Sequence, residues 1–362
     1  MKAAVLYDVH TPLKIEELDP PKVTYGMVGV RLCASGVCHS DWHVVKGDWP
    51  FIKLPVVLGH EGAGIVEEVG DGVTGVAEGD HVILAWRRSC GYCEMCQEGF
   101  SNLCKVDPDN SRRPRFKERD ETVNKLAGLG TFGTYTVVPQ DVAVPIPKDY
   151  PFAQAALIGC GVMTGVGAVI NTAKVAPGKS VAIFGCGGVG LNCIQGAVLA
   201  NAEPIIAVDI LDKKLEMAEQ FGATHTINSS EVNPVERIKE ITGGAGAHYA
   251  FEAIGLTGEP FLQTIQCTRR RGVTVFVGHA PVNTPVEIDA RILMLEKSVI
   301  GSYYGTARTH VDFNRLLSLY GAGKLKLDEL VTRTYPLEGI NDAFDALAKG
   351  EVARSVLDLS QS

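Results

Sequence analysis

Gly185-Cys186-Gly187-Gly188-Val189-Gly190 is the stretch whose reading decides the fold. A short apolar run at residues 180–184 leads into it, and residues 189–200 lead out with helical spacing. A second apolar run, 204–208, ends on Asp209, nineteen residues after Gly190. Strand, glycine turn, helix and strand in that order make a βαβ unit, which predicts a parallel sheet. Many glycine-rich turns satisfy G-x-G-x-x-G, so the strand before it, the helix after it and the acid at the end of the next strand are what give it meaning. In that setting Gly185 and Gly187 let the backbone turn and approach a pyrophosphate, which rests on the positive end of the helix that begins at Val189, just after Gly188. Gly190 allows that helix to pack closely on the sheet. Asp209 accepts hydrogen bonds from a free ribose 2'-hydroxyl and repels a 2'-phosphate, so NAD is the expected cofactor. Lys214, five residues on, is either a second ribose ligand or an ordinary surface lysine.

Outward from the turn, residues 213–221 read as a helix, and the alternation continues through 272–278 to about 299–303. Beyond it, 311–320 and 340–347 read as surface helices, and 355–359 as a closing strand able to rejoin the first domain. Before residue 162 the texture differs. Short β-branched runs such as 62–70 and 80–85 are broken by Gly and Pro, which predicts a β-barrel-like domain. The expected organisation is α/β, with one domain at 1–161 completed by 305–362 and a doubly wound parallel sheet at 162–304. Residues 107–125, with Arg112, Arg113, Arg115, Lys117 and Arg119 beside prolines, read as a long exposed loop.

Composition agrees with two soluble domains: 362 residues, 46% hydrophobic, 21% charged, formal net charge −8. The acidic balance argues against general nucleic-acid binding. The apolar run at the N-terminus stops short of a signal peptide, and no stretch of about 18 uninterrupted apolar residues follows, so no membrane and a cytoplasmic location are expected. Ten cysteines in a reducing compartment point to metal ligation and burial rather than disulfides. Four of them, Cys90, Cys93, Cys96 and Cys104, fall in one fifteen-residue window. Four thiolates complete a tetrahedral zinc shell with no open position, a structural site; an iron–sulfur cluster is the alternative that spacing leaves open. Cys38, His60 and Cys160 lie far apart, and each alone has an ordinary reading as a buried cysteine or a structural histidine.

Taken together, residues 36–43, 59–64, 90–104, 159–165 and 185–190, in this order and followed by Asp209, resemble the zinc-containing medium-chain alcohol dehydrogenases over nearly the whole chain. The resemblance implies a GroES-like β-barrel catalytic domain beside a Rossmann domain, with two zinc ions per subunit and NAD. It implies that Cys38, His60 and Cys160 hold a catalytic zinc, with Glu61 behind the ion and Asp41 orienting His60. Two thiolates leave such a zinc little net charge, so an alcohol can bind, lose its proton near neutrality and still expel hydride. Ser40 and His43 fall where relatives pass the alcohol proton through the cofactor ribose to an imidazole at the surface. His39 and Arg354 fall where basic residues face the pyrophosphate, Arg354 also approaching Glu61. Thr164 and Val189 fall where residues press on the nicotinamide.

Trp49, Trp86 and Phe132 fall along the family's substrate channel, with Tyr303 and His279 at its outer end, which favours unbranched or aromatic primary alcohols and their aldehydes. The basic loop either recruits an acidic substrate or thiol adduct, or is simply solvated. Residues 272–278 and 299–303 resemble the edge strands through which these enzymes pair, implying a homodimer, with a homotetramer as the alternative. A polyol dehydrogenase often has a carboxylate in place of one thiolate, so Cys160 argues against it. A zinc-free quinone reductase would not keep all seven metal-type ligands. A non-enzymatic zinc- and NAD-binding protein is the remaining contrast.

Overall fold

Six parallel strands form around the glycine turn. In the computed structural model, which describes residues 1–106 and 111–360, the spatial order is His225–Asn228, Ile205–Asp209, Val181–Phe184, Ala247–Glu252, Thr268–Phe276, Ser298–Gly301. This is the doubly wound order, with the switch in winding direction beside Val181–Phe184. All residues of Val181–Phe184 and Ile205–Asp209 are buried, as a sheet covered on both faces requires. Phe184, Ile206, Val208, Ile227, Val235 and Ile238 form one core layer. The helix supplying the last two, Pro234–Ile241, is started by Asn233, whose side chain accepts from the N–H groups of Val235 and Glu236. These strands lie in one compact unit, Gly161–Ala307.

The other unit comprises Met1–Cys160 and Arg308–Ser362. Its backbone is the long strand Met27–Val37, which pairs antiparallel with Gly62–Val69 along one edge. The other edge is shared: Tyr135–Pro139 takes its first half and Arg354–Asp358 its second. Arg354–Asp358 thus closes the sheet of this unit. A smaller sheet is built on Lys2–Leu6, flanked by Lys14–Asp19 and Val56–Val57.

Three expectations need correction. Residues 272–276 of the segment 272–278 belong to Thr268–Phe276, which has strands on both sides, so it is not an edge; among the described strands Ser298–Gly301 alone takes the outer position on that side. Second, Phe152–Thr172 is a continuous helical run whose most apolar 18-residue window has a mean hydropathy of 1.7, long and apolar enough to cross a bilayer, although no such stretch was expected. Of its most apolar window 78% is buried within the protein, so its apolarity serves the core.

Third, the stretch read as an exposed loop, of which residues 107–110 lie outside the described residues, is partly sheet. Arg115–Phe116 pairs with the end of Lys14–Asp19, and Asn124–Lys125 with Val56–Val57. Phe116, Val123 and Lys125 are buried. Strands of two residues are too short for alternation to show in the sequence. The cations there are also engaged locally. Lys117 Nζ is 2.6 Å from Glu17, Arg115 pairs with Asp120, and the Arg119 guanidinium lies 3.7 Å from the centre of the Phe116 ring.

Candidate active site

Cys38 ends the long strand and precedes the short helix His39–Val45. His60 and Glu61 occupy the turn before Gly62–Val69, and because Ser35 is paired with Gly62 that turn lies beside Cys38 in space. The Gly36 N–H donates to the Glu61 carbonyl at 2.9 Å, and a Cβ built at Gly36 would overlap Glu61 Oε2, so only glycine fits there. Cys160 arrives from the helical run within a π-helical turn, Ile158–Val162, a local widening of the helix often found at functional sites. One ligand atom from each of Cys38, His60, Glu61 and Cys160 lies within 4.8 Å of all the others, and all four residues are buried.

The surroundings are those of a cation site. Asp41, wholly buried, accepts from the Gly59 N–H at 2.8 Å and faces His60 Nδ1 at 3.2 Å with the same oxygen, which leaves Nε2 for an ion. Its second oxygen has no partner among the described residues. Hydrogen bonding from Cys160, helped by His60 and by the Arg354 charge, holds the Cys38 thiol well below its ordinary range. That same bond, with burial, pushes the Cys160 thiol up. His60 is drawn well above its ordinary value: burial works against this, but Asp41 and Cys38 outweigh it. Burial pushes the Glu61 carboxyl up to about 7 against the pull of Arg354, which pairs with it and is 4% exposed. Two sulfurs and a nitrogen around one point suit zinc.

The second cluster is equally definite. One sulfur from each of Cys90, Cys93, Cys96 and Cys104 lies within 4.8 Å of the others. Backbone N–H groups point at these sulfurs: that of Cys93 is 3.4 Å from Cys90 Sγ, and those of Lys105 and Cys96 bring the Cys93 thiol down to about 6. Donors aimed at sulfur stabilise thiolates, so this set also fits zinc. Arg87 donates to the Cys104 carbonyl at 2.7 Å and Arg88 to Asp141 at 2.9 Å, tying the lobe to the sheet domain. Neither arginine stood out in the sequence.

Of the residues expected near the reacting alcohol, His39 is exposed and Ser40 half-buried, its Oγ 3.8 Å from Cys38 Sγ. His43 departs from expectation. It is not at the surface but 5% exposed, because His39–Val45 turns Asp41, His43, Val44 and Val45 inward. Its Nδ1 is 2.7 Å from Asp48 Oδ2, a partner the sequence did not announce. Trp49 is buried, stacked on His43 and on Phe51. Trp86 is half-buried just after His81–Leu84. Phe132 is fully buried, edge-on to Phe344 and against Gly59, next to His60.

In the unit Gly161–Ala307, Gly185 has a φ of +93°, and a Cβ built at Gly190 would overlap the Gly185 carbonyl oxygen. Gly187 precedes the helix Gly188–Leu199, and no atom lies within 4 Å of where its Cβ would be, which leaves room for a ligand. Asp209 does more than the sequence suggested. Oδ2 accepts from the Cys186 N–H at 2.8 Å, and Oδ1 from those of Ile210 at 2.8 Å and Leu211 at 3.2 Å, so the carboxylate ties the glycine turn to the next strand. A carboxylate has about four acceptor positions, which leaves one for a ribose. Lys214, Thr164 and Val189 are half-buried; His279 is exposed and Tyr303 is 40% exposed.

Glu252, which sequence reasoning missed, ends Ala247–Glu252 as Asp209 ends its own strand, and that parallel was the available signal. It is wholly buried. Oε1 accepts from the Ile254 and Gly255 N–H groups at 2.9 Å each, and Oε2 has no partner among the described residues.

Two outcomes are expected. Asp41→Asn removes the charge that orients His60, so one of two zinc ions should leave about 10–100-fold more readily in a chelator titration, with the four-cysteine zinc retained. Burial raises the Glu252 carboxyl from 4.5 to about 6, so its protonation favours the folded state: that stabilisation is complete below 4.5 and lost as pH rises through about 6. The loss is about 2 kcal/mol, and urea unfolding of Glu252→Gln at acid and alkaline pH should show a pH dependence smaller by that amount.

Comparison with known proteins agrees with this geometry. The profile of the alcohol dehydrogenase GroES-like domain matches residues 25–148, and that of the zinc-binding dehydrogenase family residues 188–321. Alcohol dehydrogenase B of Mycobacterium tuberculosis (strain ATCC 25618 / H37Rv) is 39% identical over 98% of this chain and 97% of its own. The S-(hydroxymethyl)glutathione dehydrogenase of Paracoccus denitrificans is 38% identical over 98% and 99%. The crystal structure of benzyl alcohol dehydrogenase from Acinetobacter calcoaceticus superposes with a TM-score of 0.92 at 34% identity, covering 99% of this chain and 98% of that one. With two zinc-type ligand sets and a dinucleotide turn in the expected places, the chain belongs to the zinc-containing medium-chain alcohol dehydrogenases and is an oxidoreductase that uses zinc and a nicotinamide nucleotide.

Proposed function

We propose that this enzyme transfers hydride between primary alcohols, linear or aromatic, and NAD, giving the aldehyde and NADH. The observation that carries the reading is the convergence of Cys38, His60 and Cys160 within 4.8 Å, with Asp41 on the far nitrogen of His60. Zinc held by these three would supply Lewis acidity toward the alcohol oxygen. Ser40, beside Cys38, accepts the hydroxyl proton, and His43 in the same helix carries it onward. Glu61 and Arg354 form the buried ion pair that keeps a carboxylate behind the three donors. Cys90, Cys93, Cys96 and Cys104 hold the structural zinc.

Asp209 supports NAD, because its remaining acceptor position suits a ribose hydroxyl and its charge opposes a 2'-phosphate. Trp49 and Trp86 supply apolar surface for the alcohol, and the likeness to a benzyl alcohol dehydrogenase favours aromatic substrates. The likeness to an S-(hydroxymethyl)glutathione dehydrogenase favours a thiol adduct as the second reading. Against it, Arg115, Lys117 and Arg119 are engaged by Asp120, Glu17 and Phe116 rather than free to meet an acidic substrate. None of the ten cysteines is paired in a disulfide, in keeping with a cytoplasmic enzyme. The outer edge of Ser298–Gly301 supports pairing with a second copy as a homodimer.

The test is NADH absorbance with the purified enzyme against benzylic and linear alcohols, a polyol and S-hydroxymethylglutathione. Benzylic or linear alcohols should give the highest kcat/KM; preference for the thiol adduct would reverse the ranking of the two readings. Cys38→Ser should lower turnover at least about 10³-fold while NAD still binds, and undiminished turnover would refute the catalytic-zinc assignment. Asp209→Gly should narrow the preference for NAD over NADP and lower the melting temperature, since three backbone N–H groups lose their acceptor.

A further inference from the structure

We infer that Asp48 is the positioning residue for His43: its carboxylate holds the imidazole in the Nδ1–H tautomer and so leaves Nε2 free to accept the substrate's proton. The inference rests on the reading of His43 as a proton carrier given above.

The C-terminal end of a short helix creates the contact. After His39–Val45 the chain reverses at Gly47, whose φ of +73° suits glycine. The reversal brings the Asp48 N–H to the His43 carbonyl at 2.9 Å, and the Lys46 and Gly47 N–H groups to the carbonyls of Trp42 and Val44. The Asp48 side chain then points back along the helix, Oδ2 lying 2.7 Å from His43 Nδ1. The next residue, Trp49, stacks on the same ring with centroids 5.3 Å apart and planes 22° from parallel. One edge of the imidazole is thus held by a carboxylate and one face by an indole, and the histidine side chain is only 6% exposed.

The chemistry of this pair has a direction. The hydrogen bond to His43 holds the Asp48 carboxyl below its ordinary range, and Lys46 Nζ, 3.7 Å from the same oxygen, adds to the effect. A carboxylate that stays ionised can only accept, so Nδ1 must carry the proton; in the neutral ring Nε2 then has the lone pair. A clamp that served packing alone would need no particular tautomer. A proton carrier needs one nitrogen held with its proton and the other open.

The test uses the zinc-loaded enzyme. Long-range 1H–15N spectra, with His43→Gln identifying the His43 signals, should show a protonated Nδ1 in the wild-type protein. A protonated Nε2 there would overturn the inference without any variant at Asp48. Asp48→Asn, whose amide can donate as well as accept, should mix the tautomers and lower kcat/KM for alcohol about tenfold, with NAD affinity unchanged. The double variant should be no slower than His43→Gln alone, because both act through one imidazole. An unmoved tautomer or an undiminished kcat/KM in Asp48→Asn, with His43→Gln impaired, would overturn the Asp48 assignment alone. Full activity in His43→Gln would overturn the proton-carrier reading and this inference with it.

Discussion

The antiparallel pairing of Met27–Val37 with Gly62–Val69 is the constraint on which the reactive centre depends. Its register sets Ser35 opposite Gly62, and therefore puts Cys38 and the His60-Glu61 turn at the same end of the two strands. A slip of one residue would turn every side chain to the other face. The Gly36–Glu61 backbone hydrogen bond and the absence of a Cβ at Gly36 hold the junction tight enough for Glu61 to lie beneath the donors. The closing strand Arg354–Asp358 then joins the same long strand, Ser355 opposite Val37, and delivers Arg354 to Glu61.

That junction gathers groups that are costly to bury singly. Asp41, Glu61 and Arg354 are each at most 4% exposed, and an ionised side chain taken out of water without a partner costs several kcal/mol. Here each charge has an answer: Arg354 for Glu61, the Gly59 N–H and His60 for Asp41, His60 and Cys160 for Cys38. The arrangement still contains more anionic donors than cations, which is the electrostatic signature of a metal site. The four-cysteine lobe meets the same demand by other means, with backbone N–H groups on sulfur and two arginines anchoring its frame.

Much of this was legible along the chain because it depends on local order. The glycine turn, the strands flanking it and Asp209 form one continuous segment, and a dinucleotide turn is a local object. The four cysteines likewise lie within one loop. What could not be read locally were partners supplied from a distance or by a reversal of direction. His43 was expected at the surface, yet the tilt of a seven-residue helix turns it inward, and the reversal at Gly47 brings Asp48 onto it. Arg119 looked like a free cation until Arg115–Phe116 joined the small sheet and set the Phe116 ring beneath its guanidinium. The segment 272–278 looked like an edge because nothing in it says that another strand pairs outside it.

The sequence by itself determined the kinds of chemistry: which residues can bind zinc, where glycines let the backbone turn tightly before a helix, and that an acid ends the strand that follows. These follow from residue type and short spacing, which survive any folding of the rest. Only the tertiary structure decided which distant donors meet, which charges face each other and which side chains lose contact with water. Cys38 and Cys160 are separated by more than a hundred residues, and their sulfurs lie within 4.8 Å of each other because a strand end and a π-helical turn arrive at one point. Such a meeting is set by sheet register and helix packing, which sum over many weak contacts and leave no local mark.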